Sequence, residues 1–394
     1  MPAWMLSRTS PMPSADAFRC DIFCNVIDNF GDIGVCWRLA RQLATEHGLS
    51  VRLWVDDLAA FSRLCPELDV RSAAQIHQGI EIRHWGNNFH DVIPGDWVIE
   101  AFACHLPEIY IENMARQDRP PVWVNLDYLS AESWVSGCHA LPSPHPRLPL
   151  NKYFFFPGFD ETTGGLLRES RLLEDRDQFL SSESEQAAFW SRLGIPRPSV
   201  GTLKVSLFSY ENLALPGVLN ALARHPTPVC CFAPLTRTQA DLENFLGHPI
   251  RIGDVVQRDQ LEIRVLPFVT QPDYDRLLWA CDLNFVRGED SFVRAQWAAK
   301  PMLWQIYPQG EEAHRVKLDA FLDRYLAELS GALAERLRGL FLAWNGFGNF
   351  SSPPFGELLS LLDDFREHAG KWEKNLSKQQ DLCTSLVRFC KSKL

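Results

Sequence analysis

The chain has 394 residues, 46% hydrophobic and 22% charged, with 13 Trp and 25 Phe. At ~100–200 residues per domain that predicts two domains, each able to bury its own core. The formal net charge of −10 excludes nonspecific attraction to nucleic acid or to an anionic membrane, while a local basic pocket for a phosphate stays open.

The opening residues, MPAWMLSRTSPMPSADAF, lack a secretory h-region and read as a ragged leader, with Met12 as an alternative start. No apolar run approaches the ~18 residues of a membrane span. Residues 19–27 read as a buried strand, 28–34 as a glycine-containing turn, and Cys36, Leu39, Ala40 and Leu43 fall at helical spacing until Gly48 ends the helix. Further strands are expected at 50–55, 81–85, 97–102 and 122–125, with a helix over 106–117. This is the βαβ rhythm of a parallel sheet covered by helices.

From Leu141 the Pro-rich run LPSPHPRLPLNKYFFFPGF predicts a long surface loop or lid. The charged, Ser-rich segment 174–186 reads as a passage between domains. The rhythm then restarts, with strands expected at 203–209, 228–233, 262–267, 283–286 and 302–305. Helices are expected at 213–224, 239–246, 274–281 and 292–299, and mainly helix from 311 onward. The expected fold class is α/β, with two Rossmann-like domains facing a central cleft. Residues 18–185 and 186–369 form the domains, and a last helix of about 370–394 packs back on the first. Ligands of such sheets bind beyond the carboxyl ends of the strands.

Two such strand ends carry dense polar clusters. The first is Asp28-Asn29-Phe30-Gly31-Asp32, where Gly31 and Gly34 let the backbone turn tightly and let a ligand approach. Asp28 and Asp32 fit either helix capping or catalysis; two carboxylates four apart exceed what a cap needs. The second is Arg287-Gly288-Glu289-Asp290-Ser291. Asp290 or Ser291 is expected as the helix N-cap, and the opening N–H groups of that helix suit a diphosphate. Arg287 adds a permanent charge and five donors, whereas Glu289 would repel an anion and suits a sugar or an acceptor better. Phe208 and Tyr210 follow one strand, Phe268 and Gln271 another; they can sandwich a base and bond its edge, and the two Phe also fit a core role.

Other chemistries find no pattern. G-x-G-x-x-G, the Walker loop and the G-x-S-x-G elbow are absent. His84, His90, His105 and His139 have no metal-ligand spacing, and Asp56-Asp57 reads as a cap for a helix starting at Leu58. The eleven Cys include no C-x-x-C pair and read as buried free thiols of a reducing cytoplasm.

The segments DNFGDIGVCWRLARQL, LFSYEN, LPFVTQPDYDRLLWACDLN and FVRGEDSFVRAQWAAKPMLWQIYPQ together resemble the EarP family, the protein-arginine rhamnosyltransferases of elongation factor P. The resemblance runs from about Phe18 to the C-terminus. It implies a GT-B fold and a cytoplasmic, inverting glycosyltransferase that activates elongation factor P by rhamnosylating one arginine. It implies dTDP-β-L-rhamnose as donor, bound mainly by the second half, an acceptor recognised mainly by the first half, and no cofactor or metal. The family's catalytic carboxylates match Asp28, Asp32 and Glu289. Asn29, Phe30 and Gly31 match its acceptor-side loop. Its donor site matches Phe208, Tyr210, Phe268, Gln271, Arg287, Gly288, Asp290 and Ser291. A nucleotide-sugar epimerase of the same fold, or a non-catalytic nucleotide-sugar-binding protein, are the alternatives.

Overall fold

A computed structural model of the chain describes residues 18–28, 30–86, 89–308, 310, 313–347 and 355–394. The expected leader, the start at Met12 and Asn29 lie outside the described residues. The chain divides into two compact units, one ending at Ser170 and taking in Gln379–Leu394, the other spanning Arg171–Lys378. The passages between units therefore fall at 170–171 and 378–379, not at 185–186 and 369–370.

The first unit contains β1 (Arg19–Cys24), α1 (Gly31–His47), β2 (Ser50–Val55), α2 (Leu58–Leu64), β3 (Ala74–His77), β4 (Ile80–His84), β5 (Trp97–Ala101), α3 (Glu108–Arg116), β6 (Val122–Leu126), α4 (Val135–Cys138), β7 (Pro142–Pro144) and β8 (Asn151–Phe155). They form one sheet in the order β3-β4-β2-β1-β5-β6-β8-β7. Its six central strands are parallel, and only the edge pairs β3–β4 and β7–β8 are antiparallel. A strand buried on both faces needs a near-continuous apolar run, and β1 supplies one. Its one buried polar residue, Asp21, is fully partnered: it accepts from Arg52 Nε at 2.6 Å, from Gly95 N at 2.9 Å and from the Tyr110 hydroxyl. Phe23 of β1 stacks on Trp54 at 5.5 Å and meets Tyr110 edge-on at 4.8 Å, which seats the sheet's core on that side. α1 closes at Gly48, whose φ of +68° suits a residue without Cβ.

Two expectations are corrected here. The Pro-rich run is not all loop: β7 and β8 lie within it, β8 joins the sheet parallel to β6, and β7 is its outer edge. On an edge strand the missing N–H groups of Pro142 and Pro144 break no shared ladder. Residues 174–186 are not a linker either. They fall in α5 (Leu172–Ser181) and α6 (Glu183–Arg192) of the second unit. Phe179 packs on Phe189 at 5.6 Å and on Trp279 at 5.8 Å. The apolar stripe of this segment was hidden among its charges.

The second unit continues with β9 (Leu203–Leu207), α7 (Leu215–Ala223), β10 (Val229–Pro234), α8 (Gln239–Leu246), β11 (Val255–Arg258), β12 (Leu261–Leu266), α9 (Gln271–Ala280), β13 (Leu283–Arg287), α10 (Asp290–Trp297), β14 (Met302–Gln305), α11 (Ala313–Tyr325), α12 (Gly331–Trp344), α13 (Phe355–Leu358) and α14 (Leu362–Leu376). Its sheet runs β11-β12-β10-β9-β13-β14, parallel except for the β11–β12 edge. The last helix, α15 (Leu382–Ser392), belongs to the first unit, where Phe389 packs on Tyr153 at 5.3 Å and on Phe155 at 5.5 Å. Among the described residues no helix is long and apolar enough to cross a membrane.

Both sheets reverse strand order once, between β1 and β5 in the first and between β9 and β13 in the second. Such switch points are where open α/β sheets bind ligands. The two polar clusters of the sequence follow β1 and β13.

Candidate active site

In the first unit the chain leaves β1 at Cys24, three residues earlier than the apolar pattern suggests, and Ile27 is 60% exposed. Gly31 N donates to Asp28 O at 2.6 Å, closing the turn into α1. Gly31 is not in a left-handed conformation. It is required by close approach: a Cβ there would lie 2.8 Å from Asp28 Oδ2. Neither aspartate is the N-cap, a position taken by Phe30 without a side-chain bond.

Asp32 lies in the first turn of α1, only 2% exposed. Its Oδ2 accepts from Ile27 N at 2.8 Å and Asp28 N at 2.9 Å, and its Oδ1 accepts from the Tyr128 hydroxyl at 3.2 Å. Burial pushes its carboxyl above the ordinary aspartate range. The Asp28 and Ile27 N–H groups pull it back, the Asp28 charge pushes it up again, and Tyr128 lowers it. A carboxyl that binds a proton more tightly than usual suits a general base. Asp28 itself is half-buried. Asp56 and Asp57 have other work: Asp57 caps α2 by accepting from Ala60 N at 2.9 Å, as expected, and Asp56 accepts from Val26 N at 2.9 Å, bracing the loop.

In the second unit the Arg287 guanidinium lies over two rings, 4.4 Å from the centre of Phe208 and 4.4 Å from that of Tyr210. A planar cation is held this way by the ring quadrupoles while its edge donors stay directed. Phe208 N donates to Phe285 O at 3.0 Å, and Gln305 accepts from Tyr210 N at 2.9 Å. Gln271, the first residue of α9, donates to Asp290 Oδ2 at 3.3 Å. Phe208 and Phe268 are half-buried rather than core residues.

The turn after β13 differs from the capped helix expected. Glu289 is the N-cap and its side chain makes no cap bond. Ser291 turns back instead: its Oγ accepts from Arg287 N at 3.0 Å and donates to Arg287 O. Gly288 adopts φ +58°, its N donates to Gln305 O at 3.3 Å and its O accepts from Trp304 Nε1 at 2.7 Å. Gly288 thus shapes the turn, and its amide is already engaged.

The predicted residues therefore form two groups, one per unit. Sequence reasoning missed Tyr128, Phe102 and Gln305. All three lie at or just past the carboxyl ends of strands, so a search of every strand end would have found them. Among the described residues no group of three or more His, Cys, Asp or Glu side chains is arranged to hold a metal. All eleven cysteines are free thiols.

A family model described as Elongation-Factor P (EF-P) rhamnosyltransferase EarP matches residues 20–391. A protein of Pseudomonas aeruginosa named protein-arginine rhamnosyltransferase is 52% identical over 370 residues, covering 94% of this chain and 98% of its own length. A solved structure described as the structural basis for EarP-mediated arginine glycosylation of translation elongation factor EF-P is 38% identical with a TM-score of 0.66, covering 96% of this chain and 100% of that one. A glycosyltransferase from Rickettsia africae, 9% identical with a TM-score of 0.52 over 96% of this chain and 98% of its own, is alike in fold alone.

Proposed function

This chain belongs to the EF-P rhamnosyltransferase family EarP, and on that premise we propose that it transfers L-rhamnose from dTDP-β-L-rhamnose to an arginine of translation elongation factor P, activating the factor. The enzyme is a glycosyltransferase of the α/β GT-B class, with two Rossmann-like units. The first unit binds the acceptor and the second the donor.

Arginine is a poor nucleophile because its guanidinium stays protonated and its lone pairs are delocalised. A carboxylate beside the attacking nitrogen orients it, localises its charge and accepts its proton as the C–N bond forms. The observation that carries this reading is Asp32: buried at a switch point, fixed by three donors, and a stronger proton acceptor than an ordinary carboxylate. Asp28 holds the guanidinium, and Glu289 positions the sugar or the arginine.

As the nitrogen attacks, the bond from the anomeric carbon to the diphosphate oxygen breaks on the opposite face. The β-linked donor then gives an α-rhamnosyl arginine. The departing diphosphate gains charge, which this reading assigns to Arg287 and the opening turn of α10, calling on no metal. The rings of Phe208, Tyr210 and Phe268 cover the base, with Gln271 at its edge.

The test is intact-mass spectrometry of elongation factor P after incubation with the enzyme and dTDP-rhamnose. A single deoxyhexose increment is expected, lost when the acceptor arginine is changed to lysine and lost with Asp32→Asn. Turnover by the Asp32→Asn enzyme at the wild-type rate removes Asp32 from the role of base.

A further inference from the structure

We propose that Tyr128 is a positioning residue for Asp32, held in register by the strained loop that follows β5. The inference rests on the reading of Asp32 as the proton acceptor. Its geometry is independent of that reading.

Tyr128 lies just beyond β6. Its hydroxyl donates to Asp32 Oδ1 at 3.2 Å, and its ring stacks face to face on Phe102, centroids 4.4 Å apart and planes 16° from parallel. Phe102 leads a run of unusual backbone: φ is +55° at Phe102, +53° at Ala103 and +55° at His105. Left-handed conformations are disfavoured for residues with a Cβ, and persist where the surroundings over-determine them. Here Phe102 N donates to Leu126 O at 2.7 Å, Ala103 N to Asn125 Oδ1 at 3.1 Å and His105 N to Glu100 Oε1 at 3.3 Å. Glu100 is fully buried and is itself fixed by Trp123 Nε1 at 3.0 Å and Lys152 Nζ at 3.2 Å. Buried polar groups on β5 and β6 thus hold the loop, the loop holds Phe102, Phe102 aligns the Tyr128 ring, and Tyr128 reaches Asp32.

The two oxygens of Asp32 differ in what they can do. Oδ2 already takes two backbone N–H groups, so Oδ1 is the oxygen left for a guanidinium proton. A carboxylate gripped at one oxygen only can still rock about its Cβ–Cγ bond, and the Tyr128 hydroxyl stops that motion. The same bond favours the charged form, so Tyr128 also holds the basicity of Asp32 down. The other charge acting on Asp32 is Asp28, and the nearby Cys24 thiol is kept protonated by burial.

The experiment compares full-length wild type, Tyr128→Phe, Phe102→Leu and Asp32→Asn, using elongation factor P and dTDP-rhamnose across pH. Tyr128→Phe keeps the stacked ring and removes only the hydroxyl. It is expected to lower kcat about tenfold, leave the donor KM unchanged, and move the acid limb of kcat/KM to higher pH. Phe102→Leu, which retains the hydroxyl but not the stack, is expected to lower kcat with a smaller displacement of the limb. An acid limb that stays at the wild-type pH in Tyr128→Phe, with Asp32→Asn inactive, overturns the positioning role and leaves Asp32 as base. Full turnover by Asp32→Asn instead overturns the base assignment, and this inference with it.

Discussion

Arg294 of α10 grips Asp275 of α9 through two bonds, Nε to Oδ1 at 3.0 Å and Nη2 to Oδ2 at 2.7 Å, with side chains 2% and 7% exposed. These helices open with Gln271 and Asp290, which also meet at 3.3 Å. The buried pair therefore fixes the spacing of the two helix starts from behind. Removing one partner breaks a bidentate ion pair in the core. Asp275→Asn is expected to destabilise by about 3–5 kcal/mol, read by urea denaturation. The double variant Asp275→Leu with Arg294→Met should recover most of that loss. A single-variant loss under about 1 kcal/mol would mean that the pair contributes little to the fold.

Arg287 lies at 4.4 Å from both the Phe208 and the Tyr210 ring centres, a geometry that a lysine cannot reproduce, because its ammonium is a point charge without a plane to stack. Arg287→Lys is therefore expected to weaken binding of dTDP nearly as much as Arg287→Ala, on the order of tenfold or more. Isothermal titration of the three proteins checks this. Lysine binding at the wild-type level would reduce Arg287 to a bare charge.

Much of this site was legible because parallel sheets write their order into alternating apolar runs. Strand 302–305 and helix 239–246 are observed with the bounds the sequence suggests. Errors gather at the carboxyl ends of strands. Val26, Ile27 and Phe208 look like strand residues by apolarity, yet they leave the sheet and carry the site loops. Propensity cannot separate an apolar residue that ends a ladder from one that begins a loop. Tyr128 was invisible for a different reason: its link to Asp32 spans 96 residues and exists only once β6 has been laid two strands from β1. The N-cap of α10 was misassigned because Asp290 and Ser291 are both good caps, and Gly288 at φ +58° sets the turn so that Ser291 bonds Arg287 instead.

Gly31 gives a test of the loop that enters α1. Its backbone is not left-handed, so alanine meets no conformational penalty and suits a helix's first residue. The added methyl would instead press on Asp28 Oδ2 from 2.8 Å. Gly31→Ala is expected to keep the wild-type melting temperature while lowering kcat about ten- to a hundredfold by displacing that carboxylate. Gly31→Ala in an Asp28→Ala background should cost nothing further. An additional loss there would place the clash elsewhere.

Asp32 sets activity against stability. Its folded-state pKa is raised, chiefly by burial, so folding favours the protonated form. The stability this contributes is complete below the unfolded aspartate value of about 3.9 and is lost as pH rises through the folded value. Above that value the protein carries a carboxylate whose burial outweighs its three hydrogen bonds. An asparagine Oδ1 can still accept from the Ile27 and Asp28 N–H groups, and the Tyr128 hydroxyl can turn to accept from the new amide. Asp32→Asn is therefore expected to be more stable than wild type at pH 7–8 by about 1 kcal/mol, or about 2–4 °C in a domain of this size. The gap should close toward pH 4 as wild-type Asp32 takes up its proton. Transfer by the same variant should fall by about 10²–10⁴. Melting curves across pH decide the matter: an asparagine enzyme that melts lower than wild type at pH 8 would mean that the three donors stabilise the charge more than burial penalises it, and the raised pKa assigned to the base would be wrong.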